Sequence, residues 1–258
     1  MFDTLFDLDA FWQLLVFCAL SAIMLAISFL WLGLLNRRFA LNPKLLPVGP
    51  AFVPVTTVFA LFLGFLAVDV WNQQRQATDA ALKERAAWVR LTDLASADAL
   101  NMPAGAPMLL RYRKAIAQEW DTASNRVENP EASEALRELR LATGALSRQG
   151  APAALVSQWL RAVDELEEAR LRRLLIGADH TDDNQWSVVL VLAFFVYFMI
   201  AAAHLDKPPA GRLILVLFAL STTVAFWQLS MHTNPYKGAL SRNGMLAPGV
   251  SPLVIPKP

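Results

Sequence analysis

Phe52–Gln73 reads FVPVTTVFALFLGFLAVDVWNQ. No residue between Lys44 and Asp69 is charged, and a helix crossing a hydrocarbon core about 30 Å thick needs roughly 20 apolar residues in succession. Uncharged runs of that length recur between Asp9 and Arg37, between Asp183 and Asp206, and between Arg212 and Lys237. The expected fold is therefore all-α and polytopic, with membrane spans at about 11–35, 50–71, 185–205 and 212–232. The first span differs from a cleavable leader, because Asp3, Asp7 and Asp9 precede it and its apolar run exceeds the usual length of about 7–15 residues.

The second span carries more polar character than the others. Pro54 falls in what reads as its first turn, where a missing N–H costs nothing. Thr56 and Thr57 are placed to bond carbonyls one turn back or to face water, Gly64 interrupts the run, and Trp71, Asn72 and Gln73 close it. Val53, Thr57 and Leu61 stand at i, i+4 and i+8 and share one stripe. That stripe reads either as the packing face of a kinked helix or as a pore lining repeated around a symmetry axis.

Composition supports the membrane reading. Of 258 residues 55% are hydrophobic and 17% charged, well below the ordinary charged share of about 25%. A net charge of +1 gives no electrostatic reason to expect nucleic acid as a partner. The single cysteine, Cys18, rules out an intrachain disulfide framework and is expected to pack as a small hydrophobe. Trp12, Trp31, Trp71, Trp186 and Trp227 lie near span ends, the level at which amphipathic rings anchor. The connections Asn36–Gly49, with Pro43 and Pro47, and Asp206–Arg212, with Pro208, Pro209 and Gly211, are short, so the spans pair as hairpins.

The expected organisation is a first span pair over 1–73, a helical aqueous domain over 74–182, a second pair over 183–236 and a tail over 237–258 rich in Pro and Gly. Ala, Leu, Glu and Arg dominate the domain, with breaks at Asn101–Pro107, Asn129–Pro130 and Gly150–Pro152, giving about four helices. In the last, Leu155, Trp159, Val163, Leu166 and Leu174 form a buried stripe. Asp164, Glu165, Glu168 and Arg172 read as a solvated face with pairs such as Glu168–Arg172.

No phosphate loop, paired-histidine zinc helix or nucleophile elbow is present, so the chain is not expected to be an enzyme, and no cofactor or small-molecule substrate is indicated. Asp179, His180, Asp182 and Asp183 form a polar cluster, but a hydrated loop explains it better than a cation site. His204 and His232 read as interfacial residues. The spans lack an internal charge of the kind that marks a transporter's coupling site, Asp69 near a helix end being the nearest candidate.

From Phe52-Val53-Pro54-Val55-Thr56 through Trp71-Asn72-Gln73 the sequence resembles the second transmembrane helix of the bestrophin channels, and more closely of bacterial bestrophin-like membrane proteins. Asn234-Pro235-Tyr236-Lys237-Gly238 is similar to that family's Asn-Pro-Phe-Gly segment. Tyr112, Glu119-Trp120 and Arg172 resemble the bacterial group in particular. The resemblance implies a homopentameric channel in lipid, in the bacterial inner membrane, passing small ions such as chloride through a neck of Val53, Thr57 and Leu61, with the domain cytoplasmic. The alternative is a non-conducting scaffold whose helical domain binds a partner.

Two departures qualify the resemblance. Bestrophins carry large apolar or aromatic residues in the neck, whereas Thr57 stands in the middle here, which bears on gating by dewetting. Lys237-Gly238-Ala239-Leu240-Ser241-Arg242 replaces the acidic run of animal bestrophins and supplies no carboxylate oxygens for calcium. Short-loop charges (Arg37, Arg38, Lys44, Lys207, Arg212) favour hairpins inside, but Arg75, Lys83, Arg85, Arg170, Arg172 and Arg173 flank the domain, so the positive-inside rule leaves orientation open.

Overall fold

The computed structural model describes residues 3–38, 48–122, 125–178, 183–205 and 207–236. Eight helices follow in order among the described residues: α1 (Asp3–Phe6), α2 (Ala10–Arg38), α3 (Val48–Ala95), α4 (Gly105–Thr122), α5 (Pro130–Arg148), α6 (Ala153–Ala178), α7 (Asp183–Ala203) and α8 (Pro208–Thr233). The protein is an all-α membrane protein, with four helices among the described residues long and apolar enough to cross a bilayer: α2, α3, α7 and α8. The polar loop Asp179, His180 and Asp182, most of the Asn36–Gly49 connection and everything from Lys237 onward, including Gly238, lie outside the described residues.

The described chain separates into two compact units, one of residues 3–72 with 183–234 and the other of 73–178 with 235–236. In the membrane unit the core gathers Phe17 and Leu32 of α2, Phe59, Leu66 and Val70 of α3, Tyr197 and Ile200 of α7, and Leu215 and Phe226 of α8. Side-chain hydrogen bonds add to apolar packing in this interior. Thr223 donates to Ser21 at 2.6 Å and Ser230 to Gln13 at 2.8 Å, while Tyr197 and Thr222 pair at 3.2 Å. Lipid offers no competing partners, so such bonds lock one helix against another.

Trp186 corrects the expectation of an interface anchor. It is fully buried, with ring centroids 5.1 Å from Phe6, 6.2 Å from Phe17 and 6.4 Å from Phe226. The short helix α1 places Phe6 against a ring that a reading of the four spans alone leaves facing the interface. Trp12 and Trp71 are half exposed, and Trp227 donates to the Ala10 carbonyl at 2.9 Å. Cys18 is exposed and not packed within the chain.

The helical unit is built from the second half of α3 with α4, α5 and α6, around Leu91, Leu109, Ile116, Leu139, Trp159, Val163 and Leu166. Its breaks follow local chemistry. Asn129 caps α5 by accepting from the Glu131 N–H at 2.9 Å, ahead of Pro130 at the first helical position. Gly150 ends the α5 region with φ +76, a backbone state that glycine adopts at no steric cost.

Candidate functional site

In the membrane unit α3 and α2 are the least covered spans: 11% of the most apolar stretch of α3 and 17% of that of α2 are buried, against 39% for α7 and for α8. The contact side of α3 carries Phe59, Leu66 and Val70. The opposite side holds Val53, Thr57, Leu61, Gly64 and Val68, all exposed, with Val53 63% and Leu61 53% open. A Cβ added at Gly64 would meet nothing within 4 Å, so packing inside one chain does not explain this glycine. A stripe this apolar and this open requires lipid or another protein surface over it.

Helix α3 begins at Val48, so Pro54 is inside the helix and not in its first turn. The residues preceding Pro54 are uncharged and propagate the helix backwards, and the proline leaves one carbonyl a turn upstream without its usual donor. The threonines bond to their own backbone. Thr56 donates to the Phe52 carbonyl at 2.9 Å and reaches that of Val53 at 3.0 Å, and Thr57 donates to the Val53 carbonyl at 2.8 Å. With its proton committed there, the Thr57 hydroxyl retains oxygen lone pairs but no donor for an approaching group. Trp71 and Asn72 continue on exposed positions, and Gln73 is half-buried.

Asn234, beyond α8, donates to Asp7 at 3.2 Å, while Pro235 and Tyr236 belong to the helical unit. There the Tyr236 ring meets Trp120 edge-on, centroids 5.4 Å apart. His204 and His232 each place Nδ1 against the carbonyl one turn back, at 2.9 and 2.8 Å. No cluster of metal-ligating side chains occurs among the described residues.

The helical unit contains a buried charge network that reading the sequence missed. Glu84 of α3, Glu119 of α4, and Arg170 and Arg173 of α6 are all buried, two carboxylates against two guanidiniums. Arg173 donates to Glu84 at 2.6 Å, to Glu119 at 2.7 Å and to the Asn125 side chain. Arg170 binds Glu119 through Nε at 3.1 Å and through Nη2, and Glu128 at 3.4 Å. Tyr112 donates to Glu84 at 3.0 Å, and the Asn129 N–H to Glu119 at 2.8 Å. Burial pushes the Glu119 carboxyl up, but the bonds from Arg170 and the field of Arg173 outweigh it, so it titrates below the usual carboxylate range. Burial, then the Glu84 charge, hold the Tyr112 hydroxyl protonated well above its ordinary range.

Arg172, matched by resemblance, lies on the exposed side of α6; the arginines that meet Glu119 are Arg170 and Arg173, and Tyr112 joins them through Glu84. The signal was in the periodicity. Arg170 and Arg173 continue the stripe of Trp159, Val163 and Leu166, as Glu84 continues that of Ala77 and Ala80, and a charge on an apolar face requires a buried partner. The outer charges behave as a solvated surface, with exposed pairs such as Lys83–Asp79 at 2.9 Å and Arg140–Asp164 at 2.7 Å.

Compared with known families, residues 47–241 match the model of the Bestrophin-like domain. The chain belongs to the Bestrophin-like family. That match runs from just before α3 through α8, and so takes in the exposed stripe, the helical unit and the Asn234–Tyr236 segment. No curated protein and no solved structure matches the chain.

Proposed function

We propose that this Bestrophin-like protein is an oligomeric ion channel, a homopentamer, in which copies of α3 surround a neck lined by Val53, Thr57 and Leu61. The observation that carries the reading is the uncovered α3 stripe: a long apolar helix face, exposed in the single chain, in a family related to channels. Around an axis the three residues form stacked rings, two apolar and one carrying threonine oxygen. A hydrophobic constriction of this kind gates by whether water fills it. The resemblance favours small anions such as chloride as the permeant species, and a bacterial inner-membrane location with the helical unit in the cytoplasm. The basic and neutral residues from Lys237 to Arg242 argue for conduction without a calcium requirement at that segment.

The Thr57 hydroxyl bond to Val53 favours a second reading, a non-conducting scaffold. A stripe whose one hydroxyl proton is internally bonded is drier, and lipid or a partner could seal it.

Planar bilayers under a potassium chloride gradient decide between them. A current that Thr57→Phe suppresses and Leu61→Ala enlarges, at unchanged expression and oligomer size, supports the channel, and the sign of the reversal potential gives the permeant charge. Silence from a verified intact oligomer, with and without calcium and across pH, sinks it.

A further inference from the structure

Within the helical unit, a small apolar cluster is set apart from the main core: Ala77 and Tyr236 are buried in it, with Trp120 and Ile176 packed against them. The chain positions of these residues coincide with its passages between units. Helix α3 enters the helical unit at Gln73, and Ala77 lies one turn further on; Ile176 sits in the last turn of α6; the chain returns at Pro235, and Tyr236 is the next residue. Each passage thus has an anchoring side chain in the same cluster, and Trp120 arrives from α4, which belongs to none of them.

The charge network backs this cluster. The Arg173 guanidinium carbon lies 5.3 Å from the centre of the Trp120 ring, while the ring of Tyr236 approaches Trp120 at 82°. Arg173 is itself held by Glu84 and Glu119 at 2.6 and 2.7 Å. Glu84 follows Ala77 by two turns on α3, and Arg173 precedes Ile176 by one turn on α6. Both helices therefore engage the cluster and the network together. A buried ion pair adds little net stability compared with an apolar replacement, but its fixed forks admit one arrangement of the helices that carry them.

We propose that Trp120, Tyr236, Ala77 and Ile176, backed by Arg173, form a clamp binding the three chain passages to one another. The start of α3 in the helical unit, the last turn of α6 and the chain after α8 then open and close as one body. The inference goes beyond the channel reading and does not require conduction.

Hydrogen exchange on the full chain in detergent tests it. Tyr236→Ala removes one ring of the clamp and leaves the Arg173, Glu84 and Glu119 side chains in place, and is expected to speed amide exchange by about tenfold or more at residues 74–80 and 174–178, with the centres of α4 and α5 unchanged. Tyr236→Phe, which keeps the ring, should behave as the native chain. Trp120→Leu gives an independent variant that preserves apolar volume but loses the ring face, and should reproduce the local pattern. The proposal is overturned if either folded variant leaves both passages protected, or if exchange rises equally throughout the helical unit.

Discussion

Replacing Arg173 by methionine removes the guanidinium that three buried groups share, and leaves Glu84 and Glu119 facing one remaining buried cation, Arg170. The imbalance is one uncompensated carboxylate in an interior site. Breaking a buried pair in this way costs about 3–5 kcal/mol, far more than the pair contributes relative to an apolar substitute. For a unit of roughly a hundred residues, in which 1 kcal/mol shifts the midpoint by at least about 4 °C, the thermal midpoint should fall by roughly 12 °C or more. Aromatic circular dichroism of the full chain in detergent reads this transition. The stronger form of the test adds Glu84→Gln. The double variant keeps Glu119 with Arg170 and restores neutrality, so it should regain a substantial part of the loss, giving a non-additive cycle. If Arg173→Met costs no more than the exposed Arg137→Ala, or if the double variant is as unstable as the two losses added, the charges are not a closed network and the reasoning fails.

Acid should act through the same residues. The folded-state pKa of Glu119 lies below its unfolded value, so its contribution is present above about pH 4.3 and disappears as pH falls through the folded value. Acid titration of Glu119→Gln should lack that component. Tyr112 has the opposite sign: its folded pKa is raised, so its contribution holds below about pH 10 and is lost as pH rises through the folded value, and Tyr112→Phe should flatten the alkaline limb. Gly177→Ala places a Cβ against the Asn125 backbone, where Asn125 already sits at φ 62; faster proteolysis near 125–128 would confirm it, and unchanged resistance would contradict it. In the membrane unit Trp186→Ala should cost about 3–5 kcal/mol as a core truncation, whereas Trp12→Ala should leave the midpoint nearly unchanged; equal effects would return Trp186 to the interface.

How much of the protein is legible without coordinates depends on whether the signal is local. The four spans are, because an uncharged run of some twenty residues meets a requirement of the bilayer alone. The helical breaks at Asn129–Pro130 and Gly150 are local as well, since capping and left-handed backbone act within a few residues. The stripe of Val53, Thr57 and Leu61 follows from helical period, and the structure places all three on an exposed side of α3. The start of α3 was less legible: apolar residues upstream extend the helix past Pro54, because propagating an existing helix costs less than starting one.

Tertiary structure alone decided which charges and rings are inside. Arg170, Arg172 and Arg173 are neighbours in sequence and alike in composition, yet two are buried and one is exposed. Their fate depends on Glu84 and Glu119, which arrive from other helices 89 and 54 positions away in the chain. Trp186 likewise becomes a core ring because Phe6, Phe17 and Phe226 converge on it. Length and hydrophobicity are properties of a segment and survive without a fold. Pairing a buried charge or filling the space around a ring is a property of residues brought together only when the helices pack, and that is the part of this protein that its sequence specifies without displaying.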